Sequence, residues 1–74
     1  MATIITAAAE RAGVFSPDQL RLLTRVFEEI CAEHNIDQDD VRREALAIAL
    51  TFPEHASSDE ATLKAAALRA ITFT

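Results

Sequence analysis

The sequence is poor in the residues that interrupt helices and build loops. Its 74 residues include one glycine, Gly13, and two prolines. A single glycine excludes a glycine-rich loop that cradles phosphate, because such loops need several glycines close together. Tryptophan and tyrosine are absent, and the four phenylalanines lie at positions that we expect to be buried. A platform for stacking nucleotide bases is therefore not expected either.

Cysteine and long apolar runs are equally scarce. Cys31 is the only cysteine, so an internal disulfide is excluded. No apolar run reaches the roughly 18 residues that a membrane span needs, and no basic start leads into an apolar stretch as in a secretory signal. We therefore expect a cytoplasmic protein without a membrane partner.

Positively charged residues are also few. Seven Lys and Arg residues stand against twelve Asp and Glu residues, which gives a net charge of −5. The only adjacent basic pair, Arg42 and Arg43, is flanked by acidic residues, whereas a nucleic-acid backbone demands clustered positive charge. We expect no nucleic-acid partner. A DNA-binding regulator with this pair on a recognition helix is the weakest of three functional alternatives.

The apolar residues that are present are mostly small. Half of the chain is apolar, but 15 of these residues are alanine, which leaves 22 larger groups for a core. A chain of this length buries only roughly 60% of the surface that its unfolded form exposes. We therefore predict a single thin-cored domain over residues 1–74 that gains stability by self-association. A twofold dimer is the favoured form.

Apolar residues recur at intervals of three and four along the whole chain, which predicts helices and no strands. The expected fold is all-α, a small compact bundle of three to four helices. Their predicted ranges are about 3–12, 17–34, 38–52 and 58–72. Short connections between them favour antiparallel neighbours.

The second helix has the clearest start signal. Ser16 is a suitable N-cap, Pro17 suits the first helical position, and Gln19 is placed to reach back as the partner in a capping box. At the other end, Asn35 tolerates the left-handed conformation that closes many helices, as Gly13 does for the first helix.

The third and fourth helices have weaker signals. Asp37 is the expected N-cap of the third helix, and Pro53 is expected to end it. Ser57 and Glu60 have capping-box spacing at the start of the fourth helix, and Glu60 with Lys64 has the spacing of an ion pair within one helix.

Helical spacing also predicts which side chains are central. Phe27, Ile30, Ile48 and Phe52 lie on the apolar stripes of the second and third helices, and we expect them to meet in the core. The broad helix faces then leave large apolar groups at the periphery, which a second copy would cover. The residues predicted for this protein-interaction surface are Leu22, Val26, Leu46, Leu50, Leu68 and Phe73.

Residues suited to catalysis or metal binding are few. Cys31 and His34 are three apart on one helix, so a thiol-based redox role or a minor enzymatic role centred on them is the second alternative. Cys31 also lies on the apolar stripe, which favours a packed, inert thiol. One cysteine and two histidines cannot close a zinc site, and the acidic residues from Asp37 to Asp40 lack the glycine and glutamate of a calcium loop. We expect no enzyme activity, cofactor or metal.

One resemblance covers about residues 14–52. It rests on the pattern Phe15-Ser16-Pro17-Asp18-x-Leu20, on Leu23, Phe27 and Cys31, and on Arg43-Glu44-x-Leu46-Ala47. This pattern resembles small uncharacterised helical proteins common in rhizobia and other alphaproteobacteria. The resemblance implies a bacterial cytosolic helical protein and supplies no catalytic residues. The leading hypothesis is a non-enzymatic, acidic helical interaction module that self-associates.

Overall fold

The computed structural model describes residues 4–72, which form a small helical bundle. Four α-helices follow one another: α1 (Ile4–Ala12), α2 (Pro17–Glu33), α3 (Val41–Leu50) and α4 (Glu60–Thr72). A 3₁₀ helix (Pro53–Ser57) joins α3 to α4. Within the described residues there is no strand, so the predicted all-α bundle is confirmed.

Helix α2 begins and ends where its sequence signals predict. The Ser16 hydroxyl accepts a hydrogen bond from the Gln19 backbone N–H at 3.2 Å, and Pro17 occupies the first turn. The helix ends at Glu33, one residue before the predicted limit, and Asn35 follows with a positive φ of 53°. The predicted capping box does not form, because the Gln19 side chain donates to another part of the chain, described below.

Helix α3 is shorter at both ends than its predicted range. Its N-cap is Asp40 rather than Asp37, and the Asp40 carboxylate accepts from the backbone N–H of Arg42 at 2.9 Å. The helix stops at Leu50, and Phe52 is extended with ψ of 140°. A residue before proline avoids helical ψ because of the clash with the proline ring, so Pro53 acts one residue earlier than a simple stop signal would.

Helix α4 is also capped differently from the prediction. The Asp59 carboxylate accepts from the backbone N–H of Thr62 at 2.8 Å, whereas Ser57 lies within the 3₁₀ helix. Glu60 and Lys64 do not pair with each other. Each pairs with a residue of α2: Glu60 with Arg25, and Lys64 with Glu29 at 3.3 Å. The two pairs lie between α2 and α4, where oppositely charged side chains of neighbouring helices meet.

The core lies between α2 and the other three helices. Phe27 and Ile30 are buried as predicted, but Ile48 and Phe52 are about half exposed, at 51% and 48%. The prediction for these two residues was wrong because α3 is apolar on two opposite faces, and its other face is the one that packs inward. The core cluster consists of Ile5, Leu23, Val26, Phe27, Ile30, Cys31, Ile36, Leu46, Ala47, Leu50, Leu63 and Ala67.

Hydropathy along these helices is moderate throughout. Of the helices between residues 4 and 72, none combines the length and the apolar character that crossing a membrane requires.

Candidate functional site

The structure corrects the predicted interaction surface. Val26, Leu46 and Leu50 are each 0% exposed, so they belong to the core and cannot be covered by another chain. Leu22 is partly buried and packs against the same core. Phe73 lies outside the described residues.

Leu68 is the one member of the predicted surface that the described residues leave exposed. Its exposed fraction is 42%, and it lies on the outer side of α4 among Ala65, Arg69 and Thr72, which are also exposed. A single exposed leucine is common on soluble proteins and does not indicate a binding surface.

A larger apolar feature is found on the outer face of α3. Val41, Ile48 and Phe52 are 76%, 51% and 48% exposed, and Ala45 lies between the first two. Spacings of four, three and four residues place the four side chains in one row along the helix and its immediate C-terminal extension. We call this row the α3 ridge. It is the opposite face of α3 from Leu46 and Leu50.

A groove runs along each side of the α3 ridge. On one side, Ile48 and α1 residues such as Ala8 enclose a groove of about 230 Å³, with Arg11 and Glu44 at its polar edge. On the other side, Phe52 and α4 line a groove of about 270 Å³, the α4 groove, which also contains Arg69. Both volumes fall below the roughly 300 to 1,000 Å³ of small-molecule sites. A groove of about 390 Å³ adjoins the α4 groove and shares Glu54, His55 and Arg69 with it, but it does not include a ridge residue.

The charges around the ridge balance. Arg11 and Glu44 line one groove, and Arg69 and Glu54 line the other. At the N-terminus of α3, the Arg42 guanidinium donates to both oxygens of Asp40, with the shortest contact at 2.7 Å. Hydrogen bonds from the Arg42 side chain and backbone lower the pKa of the Asp40 carboxyl, so this pair stays ionised and adds no net charge.

The buried His55 ring contacts Phe52 at the C-terminal end of the ridge. This ring is 7% exposed and stacks on Phe52 with 6.4 Å between ring centroids. Its Nδ1 atom is buried and has no hydrogen-bond partner among the described residues. This ring contact is within the range of aromatic pairs and joins the exposed Phe52 to the buried His55.

The Cys31 side chain of α2 is 7% exposed and belongs to the core cluster, whereas His34, three residues later, is exposed. The Arg43 guanidinium approaches this thiol: Nη1 lies 3.8 Å from Sγ, and the guanidinium carbon lies 4.8 Å from the centroid of the Phe27 ring. Burial raises the pKa of Cys31, and the positive charge of Arg43 opposes this shift. A buried thiol with a raised pKa is a poor nucleophile, which argues against a redox role centred on Cys31.

The two adjacent arginines do not form a basic surface. Arg42 is bound to Asp40, and Arg43 reaches inward to the aromatic ring of Phe27. A recognition helix would need both side chains to project toward a phosphate backbone. The described residues also contain no group of three or more His, Cys, Asp and Glu side chains placed to hold a metal ion.

A further groove lies between α1 and α2. It measures about 490 Å³ and is lined by Leu20, Arg21 and Arg25 among others. Both arginines have acidic partners, Asp18 at 3.0 Å for Arg21 and Glu60 for Arg25. Because these charges are already paired, the groove offers no evident anchor for an anionic ligand.

Comparison with known proteins adds no assignment, since no protein family, curated relative or solved structure matches this chain.

The ridge residues were missed at the sequence level because they were assigned to the core. One signal was present: residues 45–50 are six consecutive apolar residues, so the second half of α3 is apolar on all sides. A helix in a thin bundle can bury only one such side, and the opposite side must face solvent or a partner. Periodicity alone does not show which side is which.

Proposed function

We propose that this chain is a non-enzymatic interaction module that self-associates through the α3 ridge as a twofold dimer. The observation that carries the proposal is the row formed by Val41, Ile48 and Phe52, three large apolar side chains that are each at least 48% exposed. Contiguous apolar surface of this kind on a small protein marks an interaction site.

Charge favours a second copy as the occupant. The whole chain carries a net charge of −5, so two copies repel each other over most approaches. The grooves beside the ridge carry two arginines and two glutamates, so the charges balance along its sides, and the exposed Asp37 and Asp39 lie only before its Val41 end. Two copies therefore meet with less repulsion along the sides of the ridge, where apolar area can also be buried.

Size favours self-association as well. The described residues expose about 4700 Å², and a standard interface buries roughly 800 Å² per partner. The domain is small enough that burying this fraction adds substantially to a marginal stability. The buried, reduced Cys31 is compatible with a cytoplasmic location, where thiols are kept reduced.

Sedimentation equilibrium over a hundredfold dilution series tests the proposal. We expect the wild type to show a reversible monomer–dimer equilibrium, and Ile48→Glu to sediment as a folded monomer because a charge would be buried at the centre of the interface. Leu68→Glu is the matched control, since it places the same charge at a similarly exposed leucine away from the ridge. It should dimerise like the wild type.

A wild type that is monomeric throughout the series would overturn the proposal. So would equal weakening by the two glutamate variants, because it would show that charge rather than the ridge controls association. Circular dichroism of each variant confirms that the helices are intact.

A further inference from the structure

We infer that the two copies meet with their α3 helices antiparallel, about a twofold axis that passes between the levels of Leu46 and Ala47. This inference rests on the proposed dimer and specifies its geometry. It follows from the order of large and small residues along the ridge and from the charges at its two ends.

The ridge residues are spaced symmetrically about this axis, and each larger side chain has a smaller one at the symmetric position. Val41 and Phe52 lie equally far from the midpoint, and so do Ala45 and Ile48. When two antiparallel copies share this midpoint, Ile48 of one copy lies at the level of Ala45 of the other, and Phe52 lies at the level of Val41. Each level therefore contains one larger and one smaller side chain.

A parallel arrangement would fill space less well. Identical residues would then share each level, so that two Phe52 side chains crowd one end and two Ala45 side chains leave a gap further along. Side-chain ridges of one helix pack into grooves of the other at a separation of 8–10 Å, so a larger side chain opposite a smaller one fills the space between these two helices more evenly. Both overpacking and cavities destabilise an interface in the same way as a core.

Charge at the ends of the ridge also favours the antiparallel arrangement over the parallel one. Asp37 and Asp39 are exposed just before Val41, whereas the Phe52 end has one acidic and one basic residue, Glu54 and Arg69. A parallel dimer would bring the two acidic ends together. The antiparallel dimer places each acidic end against the neutral end of the other copy, which costs less.

Disulfide trapping tests the orientation. Val41→Cys and Phe52→Cys are made separately in a Cys31→Ala background, and each is equilibrated alone and in an equal mixture in a glutathione redox buffer. In an antiparallel dimer, identical positions at the ends of the ridge are about 16 Å apart along the helix, too far for a disulfide, while the two different positions are adjacent.

We therefore expect a disulfide dimer from the mixture and almost none from either variant alone. Leu68→Cys in the same background is the control for random collision and should also stay reduced. A disulfide dimer from Val41→Cys alone would overturn the antiparallel orientation, and this variant keeps Ile48 and Phe52 intact. Absence of any disulfide from the mixture would overturn it too.

Sedimentation of the wild type separates the two possible failures. A wild type that dimerises, combined with the wrong disulfide pattern, overturns only the orientation. A wild type that stays monomeric at all concentrations overturns the dimer and, with it, the orientation.

Discussion

The side-chain amide of Gln19 donates a hydrogen bond to the backbone carbonyl of His55 at 2.8 Å, across 36 residues of sequence. The same nitrogen donates to the carbonyl of Ser58 at 2.9 Å. One amide in the first turn of α2 thus holds the 3₁₀ helix that precedes α4. Because the His55 ring stacks on Phe52, the hydrogen bond from Gln19 to His55 connects the start of α2 to the end of the α3 ridge.

Removal of this amide should therefore destabilise the domain. Gln19→Ala removes this donor from the Ser58 carbonyl and leaves the His55 carbonyl with only the longer bond, 3.4 Å, from the Ser58 backbone N–H. This loss costs about 1 to 3 kcal/mol, although alanine itself favours the helix. Gln38→Ala is the matched control, since Gln38 is exposed in the turn before α3. Urea unfolding monitored by circular dichroism should show a clear drop in midpoint for the first variant and little change for the second. Equal midpoints would contradict the role given to Gln19.

Truncation of Phe27 should destabilise the domain much more than truncation of Phe52. Phe27 is 1% exposed, so Phe27→Ala should cost about 3 to 5 kcal/mol, a large part of the stability of so small a domain. Phe52→Ala should cost about 1 kcal/mol or less, because half of the ring already contacts solvent. Thermal unfolding at a concentration where the protein is monomeric separates this effect from dimerisation. A larger loss for Phe52→Ala would show that the exposed position of this ring is wrong.

The contrast between Phe27 and Phe52 separates what local sequence signals determine from what they do not. Local signals determined the bounds of α2, because Ser16, Pro17 and Asn35 act through their own backbone and immediate neighbours. The inner face of α3 could not be predicted in the same way. It depends on which of two apolar faces α2 and α4 contact, and that choice is made by the whole bundle.

The side chains of Gln19, Glu60 and Lys64 illustrate the same limit. Each has a plausible partner within its own helix, and each binds a different element instead. Sequence spacing ranks partners by local distance, whereas a folded bundle also offers partners on neighbouring helices. The α3 ridge was missed for this reason, and only its six-residue apolar run indicated that α3 has a second apolar face.

The Cys31 thiol should react slowly in the folded protein. Sγ is enclosed by the core and burial raises its pKa, so the nucleophilic thiolate is scarce near neutral pH. We expect modification by an aromatic disulfide reagent to be slower in buffer than in guanidinium chloride by a factor on the order of 100 or more, because reaction requires local opening. Fast stoichiometric reaction in buffer would instead support a redox role.

The same pKa shift has a consequence at alkaline pH. The folded state holds the thiol proton more tightly than the unfolded state, so its contribution to stability is complete below the ordinary thiol pKa of about 8.5. This contribution is lost as the pH rises through the higher pKa of the folded state. Cys31→Ala should therefore lose less stability than the wild type between pH 7 and about pH 10. Parallel losses in the two proteins would show that other groups cause the alkaline decline.

Two N-cap carboxylates should control part of the acid unfolding. Hydrogen bonds from Arg42 to Asp40, and from Thr62 to Asp59, lower the pKa of each carboxyl. The folded state therefore binds fewer protons, and the stability from these groups is present above about pH 4 and lost as the pH falls through the lowered values.

Replacement by asparagine removes the titration and keeps the capping oxygen. The double variant Asp40→Asn, Asp59→Asn should consequently show a smaller drop in Tm between about pH 6 and pH 3 than the wild type. Asp37→Asn, Asp39→Asn is the control with the same change in net charge at two exposed acids. If both double variants reduce the drop in Tm at acid pH equally, net charge rather than capping is responsible.

Charge at the Phe52 end of the α3 ridge should tune the affinity of the dimer. In the antiparallel arrangement Glu54 lies toward Asp37 and Asp39 of the second copy, so Glu54→Lys replaces repulsion by attraction at two symmetric places. Exposed pairs contribute about 0.2 to 1 kcal/mol each, which corresponds to a decrease in the dimer Kd of roughly twofold to thirtyfold. Glu28→Lys makes the same change in net charge at an exposed position beside the groove between α1 and α2, whose lining includes no residue of the ridge. Sedimentation equilibrium should show the decrease only for Glu54→Lys, and the difference between the variants should shrink at about 0.5 M salt because exposed charges are screened. Equal Kd values for the two variants would indicate that the second copy does not approach this end of the ridge.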